Sequence, residues 1–417
     1  MKNRLRVVSL FLVLVLMTCI MSGCAKAQAK GTTDLMADIM FNDVDGLPID
    51  DEFKDSYMSF SAELLKRSYN YSNSSNTVIS PISAQSVIAM LMNGADGETL
   101  AEMERVLGIS RDDLNEYMYS FMSEQNFDTF NSANSIWFRN DKNSFEPNKD
   151  YLQKSADYYN AQIFASKFDD DAVDNINKWV SDKTDGMIDG IIDEFDDNEV
   201  MLLVNAVLFD SEWQTKYTNN QVGTMEFTSL DGTKRDVATL SSGEKYYIKT
   251  DSGEVGIRKL YKDTKYSFAA FMPEEGTDFN TYINNLDGQK LSNIINSTYS
   301  RYVITKLPKF KIETEVNLKG ILSDMGMPLI FVDGAAELSG MGESPFGNLY
   351  VSRFRQDAVI ELDERGTKAA AVTHSVDSST IGITEPDPVV HFNRPFIYMI
   401  IDNDTNVPVF IGTVTNL

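Results

Sequence analysis

The stretch Glu364–Phe392, "ERGTKAAAVTHSVDSSTIGITEPDPVVHF", most restricts what this chain can fold into. A strand-like run, "DAVIEL", precedes it and another, "PFIYMIID", follows it. Between them the residues are mostly small or β-branched, with no aromatic before Phe392 and no helical period. Structureless segments longer than about 12–15 residues are uncommon inside a compact domain, and those that occur are functional or disordered. The fold must therefore hold two strands in place while leaving this segment exposed. Its richness in Ala, Thr, Ser and Val also needs a reason.

The remainder supplies ample material for a sizeable core: 417 residues, 42% hydrophobic and 24% charged. A formal net charge of -25 argues against nucleic-acid binding, which needs a basic footprint, and reads as a solubility device. At the N-terminus, Lys2, Arg4 and Arg6 precede "VVSLFLVLVLMTCIM", an apolar run too short to span a membrane comfortably. "MSGC" then resembles a bacterial lipobox, with Ser22 and Gly23 directly before Cys24 and Met21 where leucine is commoner. Cys19, behind Met17 and Thr18, is the weaker candidate. The expectation is a signal peptide over 1–23, a lipidated Cys24 opening a tether over 24–50, and one domain over 51–417. The protein is then exported and displayed at the cell surface on a lipid anchor, with free secretion as the alternative. No cysteine remains for disulfides in the exported body.

Along the body, "FKDSYMSFSAELLKRSY", "SPISAQSVIAMLMNGA" and "ETLAEMERVLG" read as helices, the second opened by Ser-Pro and the third stopped by Gly108. "NINKWVSDKTDGMIDGII" reads as another, followed by "EVMLLVNAVLF", an apolar run suited to a strand buried on both faces. Strands then dominate: "MEFTSL" and "TKRDVATL" flank Asp231-Gly232, a hairpin signal, and "YSFAAFMP", "YVITKLPKFKIET", "FIYMIID" and "VPVFIGTV" follow. Helices first and mainly antiparallel strands later indicate an α+β fold.

The chemistry of most enzymes is missing. The two histidines are His374, in the loop-like part of that stretch, and His391, in the strand-like part that ends it. "GESPFG" has the wrong spacing for a nucleophile elbow, and there is no HExxH, P-loop or cysteine pair. A calcium loop over "FNDVDGLPIDDE" would use Asp43, Asp45, Gly46 and Glu52, but Phe41 takes the first ligand position and Pro48 interrupts it. Neither an enzyme nor a bound metal or cofactor is expected.

From about Asp51 to Leu417 the chain resembles a serpin. The matching stretches occur in order: "NTVISPISAQSVIAMLMNGADGETLAEMERVLG", "NSIWF", "INKWVSDKTDGMI", "LVNAVLFDSEW", "LPKFKIETEVNLKGILSDMGM", "AAELSGM", "AVIELDERGTKAAAVT", "FNRPFIYMI" and "VPVFIGTVTN". The resemblance implies about nine helices and three β-sheets with an exposed reactive-centre loop that can insert into the large sheet. A target serine protease attacks that loop and becomes trapped as a covalent acyl-enzyme, so the inhibitor acts once, as a monomer. The alternative is a non-inhibitory cell-surface binding protein on the same scaffold.

The resemblance assigns the hinge to Glu364, Gly366, Thr367, Ala369, Ala370, Ala371 and Thr373. Strand side chains alternate faces, so an inserted Thr367 would share its face with Ala369, Ala371, Thr373 and Ser375, all small and uncharged. Lys368 and His374 would fall on the other face. Counting along the family pattern puts the cut bond at Thr380–Ile381, with Val376, Ser379 and Ile381 as alternative cut positions; none is Arg or Lys. An elastase-like or subtilisin-like target follows. Ser80, Ser83, Asn205 and Gln356 match the polar cluster that controls sheet opening, and Trp213 the aromatic where the loop first enters. Gln356 stands where the family usually has histidine, which puts any pH-sensitive opening in doubt.

Overall fold

Asp50 starts the first long helix for a local reason. Its carboxylate accepts the Phe53 N–H at 3.0 Å, and Asp51 and Glu52 put negative charge against the helix N-terminus. This helix, α1, spans Asp51–Tyr71, and Ser80 and Pro81 open the next, α2, over Pro81–Met92, every residue of which is buried. The computed structural model describes residues 30–126, 128–141, 145–367 and 386–417. Among them are nine α-helices and three β-sheets, an α+β architecture of the kind expected.

The eight-stranded sheet carries the site. Its strands are β1 (Thr32–Asp34), β2 (Phe130–Arg139), β3 (Gln162–Ser166), β4 (Met201–Phe209), β5 (Ser211–Glu212), β6 (Phe310–Asn317), β7 (Arg353–Leu362) and β8 (Gly366–Thr367). Their order is β1-β3-β2-β4-β7-β6, with β8 and β5 continuing from one end of β7. All nine residues of β4 are buried, because period-2 alternation feeds two cores. Met201, Leu203, Val207 and Phe209 join the main core under α1, α2 and the second sheet, whereas Leu202, Val204 and Ala206 pack with Ile176 and Val180 of helix Asp170–Lys183. The second sheet has nine strands, and its hairpin Val222–Thr228/Lys234–Lys249 turns at Asp231-Gly232 as the dipeptide predicts, with Gly232 at φ +84°.

Three runs differ from their sequence reading. "NINKWVSDKTDGMIDGII" does not continue as one helix: it ends at Lys183, and Asp185 and Gly186 follow at φ +51° and +73°. Left-handed backbone terminates a helix whatever the apolar period beyond it. "YVITKLPKFKIET" is divided between sheets, Thr298–Pro308 in the second and Phe310–Asn317 in the first, with Lys309 as the crossing residue. Of the stretch 24–50, read as anchor site and tether running into the edge of the domain, residues 30–50 already lie on the body. Thr32–Asp34 pairs with β3, and Leu35, Met36, Ile39, Leu47 and Ile49 pack against the main core. Their apolar spacing is too sparse to read as an element.

Candidate functional site

Two groups of residues mark the seam between β4 and β7. These strands run parallel in register from Arg353↔Leu202 to Val359↔Leu208. At its middle Gln356 faces Asn205, which in turn faces Asn134 on β2, so three amides line up across three strands. Gln356 Nε2 donates to Asn205 Oδ1 at 2.6 Å, and Asn205 Nδ2 donates to Asn134 Oδ1 and to Ser83 Oγ. Ser80 clamps Gln356 from α2: its N–H donates to Oε1 and its carbonyl accepts from Nε2, both at 3.0 Å. Ser83 Oγ reaches Ser132 Oγ at 2.6 Å, and Ser80 Oγ donates to the Val409 carbonyl at 2.8 Å.

Ser80, Ser83, Asn205 and Gln356 are fully buried, as buried polar groups can be when each finds a partner. The expected cluster is therefore assembled, with Asn134 and Ser132 added. Their signal lies in "NSANS", where polar residues recur inside a strand otherwise heading for the core. Every group in this belt is neutral, and glutamine at 356 supplies donor and acceptor without titrating near neutral pH.

The second group closes the end of β7. Asp363 makes a tight turn, its carboxylate accepting the N–H groups of Arg365 at 2.7 Å and Gly366 at 3.2 Å. Trp213 holds the turn from the side: its N–H donates to the Arg365 carbonyl at 2.8 Å and its indole Nε1 to the Asp363 carbonyl at 2.9 Å. The Tyr217 N–H takes the Glu364 carbonyl at 2.9 Å. The Lys309 ammonium, 2.6 Å from Glu364, holds that carboxyl below its usual range.

The chain then re-enters the sheet. Thr367 pairs with Leu362 on one side and Ser211 on the other, and Gly366 pairs with Glu212. A Cβ at Gly366 would lie 2.1 Å from the Ser211 carbonyl oxygen, so this close approach admits only glycine unless the backbone shifts. Thr367 is fully buried, its hydroxyl 2.6 Å from Tyr261 Oη, and Tyr261 stacks on Trp213 with ring centroids 4.7 Å apart. Tyr261 escaped the sequence reading because nothing near it in sequence points to Thr367.

Glu364, Gly366, Thr367 and Trp213 thus gather at one end of the seam. Ala369, Ala370, Ala371, Thr373, Thr380 and Ile381 lie outside the described residues, as does Cys24. The chain is described again from Pro386, and Val389–His391 pairs parallel with Ile304–Lys306 at the edge of the second sheet. Among the described residues no group of three or more His, Cys, Asp or Glu side chains converges to hold a metal.

Known proteins give this geometry its context. The family model described as "Serpin (serine protease inhibitor)" matches residues 55–417. Iripin-2 of Ixodes ricinus is 30% identical over 362 residues, covering 82% of this chain and 88% of its own length. The thermophilic serpin tengpin in its native state superposes with TM-score 0.87 at 43% identity, covering 93% of this chain and all of that one. In its latent state tengpin superposes less closely, at TM-score 0.77 and 40% identity over 89% of this chain and all of that one. The chain belongs to the serpin family of serine protease inhibitors.

Proposed function

We propose that this protein is a suicide inhibitor of an elastase-like or subtilisin-like serine protease, working by insertion of its cleaved loop between β4 and β7. The protease acylates on the residue preceding the cut, proposed as Thr380, and the peptide beginning at Ile381 leaves as the amine product. The freed arm then threads into the seam before water reaches the ester, and the enzyme is carried along with it.

The observation that carries this reading is the position of Gly366 and Thr367, seated between β7 and β5 at the end of the seam. Thr367 faces the main core, which sets the phase: with strand alternation Ala369, Ala371, Thr373 and Ser375 would meet the same core on insertion, and each is small and uncharged. Bonds alone do not decide the outcome. Roughly a dozen added residues gain on the order of 10–30 kcal/mol of ladder hydrogen bonds, against about 1–2 kcal/mol each in backbone ordering. The fit of the inward side chains tips the balance, and this hinge has neither proline nor charge on that face.

The candidate cut residues are small or aliphatic, which suits the narrow apolar pockets of elastase-like and subtilisin-like enzymes and not a pocket built for a cation. Incubation with neutrophil elastase and with subtilisin tests this. A complex that survives a denaturing gel, with release of a peptide starting at Ile381, is expected. Cleavage by both without any covalent complex overturns inhibition and leaves the non-inhibitory binding protein. Export and anchoring through Cys24 belong to the same reading. Mass spectrometry is expected to find an acylated Cys24 at the mature N-terminus, and an unmodified cysteine there refutes the anchor.

A further inference from the structure

The Asp363–Arg365 turn presents three consecutive carbonyls, and two residues take all of them. Trp213 donates its N–H to Arg365 at 2.8 Å and its indole Nε1 to Asp363 at 2.9 Å, and the Tyr217 N–H donates to Glu364 at 2.9 Å. The rings of these two residues rest on one cation. The Lys259 ammonium lies 4.6 Å from the Tyr217 ring centroid and 5.6 Å from that of Trp213. Lys259 is on the strand Val255–Leu260 of the second sheet, and Glu244, on Lys234–Lys249 of that sheet, holds its Nζ at 2.8 Å. Ser242 ties this carboxylate to the phenol, its Oγ standing 2.6 Å from Glu244 Oε1 and 3.4 Å from Tyr217 Oη. Burial first, then the Glu244 charge, push the Tyr217 phenol well above its ordinary range, so the ring that meets the ammonium is neutral.

The pair is out of water: the Lys259 and Glu244 side chains are 5% and 9% exposed. Two buried charges pay heavily in desolvation, and apolar side chains of similar volume are often as stable or more so. Stability alone therefore gives no reason for a lysine and a glutamate here. Direction does. A desolvated ammonium attracts aromatic faces more strongly than an exposed one, and only where the faces meet it. With Nζ fixed by Glu244, the rings of Trp213 and Tyr217 have one preferred setting, and so do the three N–H groups these residues aim at the turn.

We propose that Lys259 is a positioning residue for loop insertion: held by Glu244, it fixes Trp213 and Tyr217 so that the turn from which Gly366 and Thr367 extend stays in register. Insertion lengthens the chain after Thr367, so the turn is its fixed point. A loose turn delays the strand, and water then reaches the acyl ester first, releasing the cut inhibitor as an acid and the protease with its serine free. The consequence for trapping rests on the inhibitory reading; the rigidity of the turn does not.

Hydrogen exchange at the Trp213, Tyr217, Arg365 and Gly366 amides, measured on the whole protein beside its stoichiometry of inhibition and its urea midpoint, tests this. Lys259→Met is expected to speed that exchange roughly tenfold and to raise the stoichiometry about twofold, with the rate of loop cleavage by subtilisin unchanged. It also leaves Glu244 buried without its partner, so a second variant is needed. Lys259→Met/Glu244→Met removes both charges and is expected to regain the urea midpoint of the parent while keeping the fast exchange and the raised stoichiometry. Lys259→Arg, which keeps a cation, should stay near the parent in both. Exchange and stoichiometry that return to the parent values with the urea midpoint in the double variant make the pair merely structural and overturn the proposal. Fast exchange with an unchanged stoichiometry also overturns it. A parent that forms no covalent complex refutes the inhibitory reading instead, and the exchange comparison still decides whether Lys259 fixes the turn.

Discussion

The seam between β4 and β7 is joined in two different ways along its length. In the middle the strands are zipped directly, with Gln356 bonded to Asn205 and clamped by Ser80. At the Thr367 end they no longer touch: their ladder stops at Val359↔Leu208, and Thr367 sits between Leu362 and Ser211 like a wedge. The contrast sets an order of events. Parting the middle breaks a parallel ladder and strips buried amides of their partners, which is expensive with nothing to replace them. Extending the wedge replaces each parted pair with two new ones as it goes. On the mechanism proposed above, such a sheet stays shut while the loop is tethered and opens from the Thr367 end once the loop is cut.

Thr367→Arg is the hardest blow to the wedge. A guanidinium at this fully buried position between Leu362 and Ser211, facing Tyr261, costs on the order of several kcal/mol and blocks extension of the wedge. Proteolysis is expected to proceed while covalent trapping vanishes, and the cleaved variant should be no more heat-resistant than the intact one. A gel-stable complex from this variant breaks the wedge account.

Gln356→Leu strikes the middle instead. It strands Asn205 Oδ1 and the Ser80 N–H, at about 1–3 kcal/mol for each group left without a partner, while the Ser80 carbonyl keeps the Ala84 N–H at 3.1 Å. The intact protein should unfold at distinctly lower urea while still trapping protease, the reverse of Thr367→Arg. An unchanged urea midpoint means the belt does not hold the seam.

Gly366→Ala sharpens the distinction. Its Cβ would press on the Ser211 carbonyl, a misfit of about 1–3 kcal/mol confined to the wedge. More inhibitor should be consumed per protease trapped, read as a raised stoichiometry of inhibition, with little change in urea resistance. Tyr261→Phe deletes the hydroxyl on Thr367 and keeps the stacking on Trp213, a change of about 0.5–1.5 kcal/mol. Its stoichiometry should fall between those of Gly366→Ala and the parent.

Most of the acid response is expected to come from outside both regions, because solvent screens the half-exposed Glu364–Lys309 pair. The belt has no titrating member, and the depressed carboxyl nearby, Glu364, is an exposed-side pair with Lys309. In the second sheet, burial pushes Glu254 up, but hydrogen bonds from Ser252, Thr250, its own N–H and Tyr282 outweigh it and hold the carboxyl at about 2. A depressed carboxyl stabilises fully above its ordinary value of 4.5 and gives that up as pH falls toward about 2. Stability should therefore drop over that window, and Glu254→Gln should flatten the drop. An unaltered acid limb in Glu254→Gln assigns the response elsewhere.

Much of this site was legible because its demands are local or compositional. The small residues after Gly366, the Ser-Pro opening of α2 and the all-apolar β4 each carry their meaning in their own stretch. Asn134 and Tyr261 do not. Asn134 matters because register sets it opposite Asn205, and Tyr261 because its ring stacks on Trp213 beneath a threonine far along the chain. The division of Thr298–Asn317 between two sheets and the docking of residues 30–50 were hidden for the same reason: each depends on which edge lies within reach.

What the sequence determined by itself is the alternation that suits the loop to a sheet interior, the neutrality of position 356 and the absence of a cation at the proposed cut. These are properties of side chains in order, and strand geometry makes them binding wherever the strand is placed. Only the tertiary structure decided that β4 and β7 meet directly and that Gly366 and Thr367 already stand between β7 and β5. Register between distant strands arises from the packing of whole layers, and no short stretch of sequence contains it.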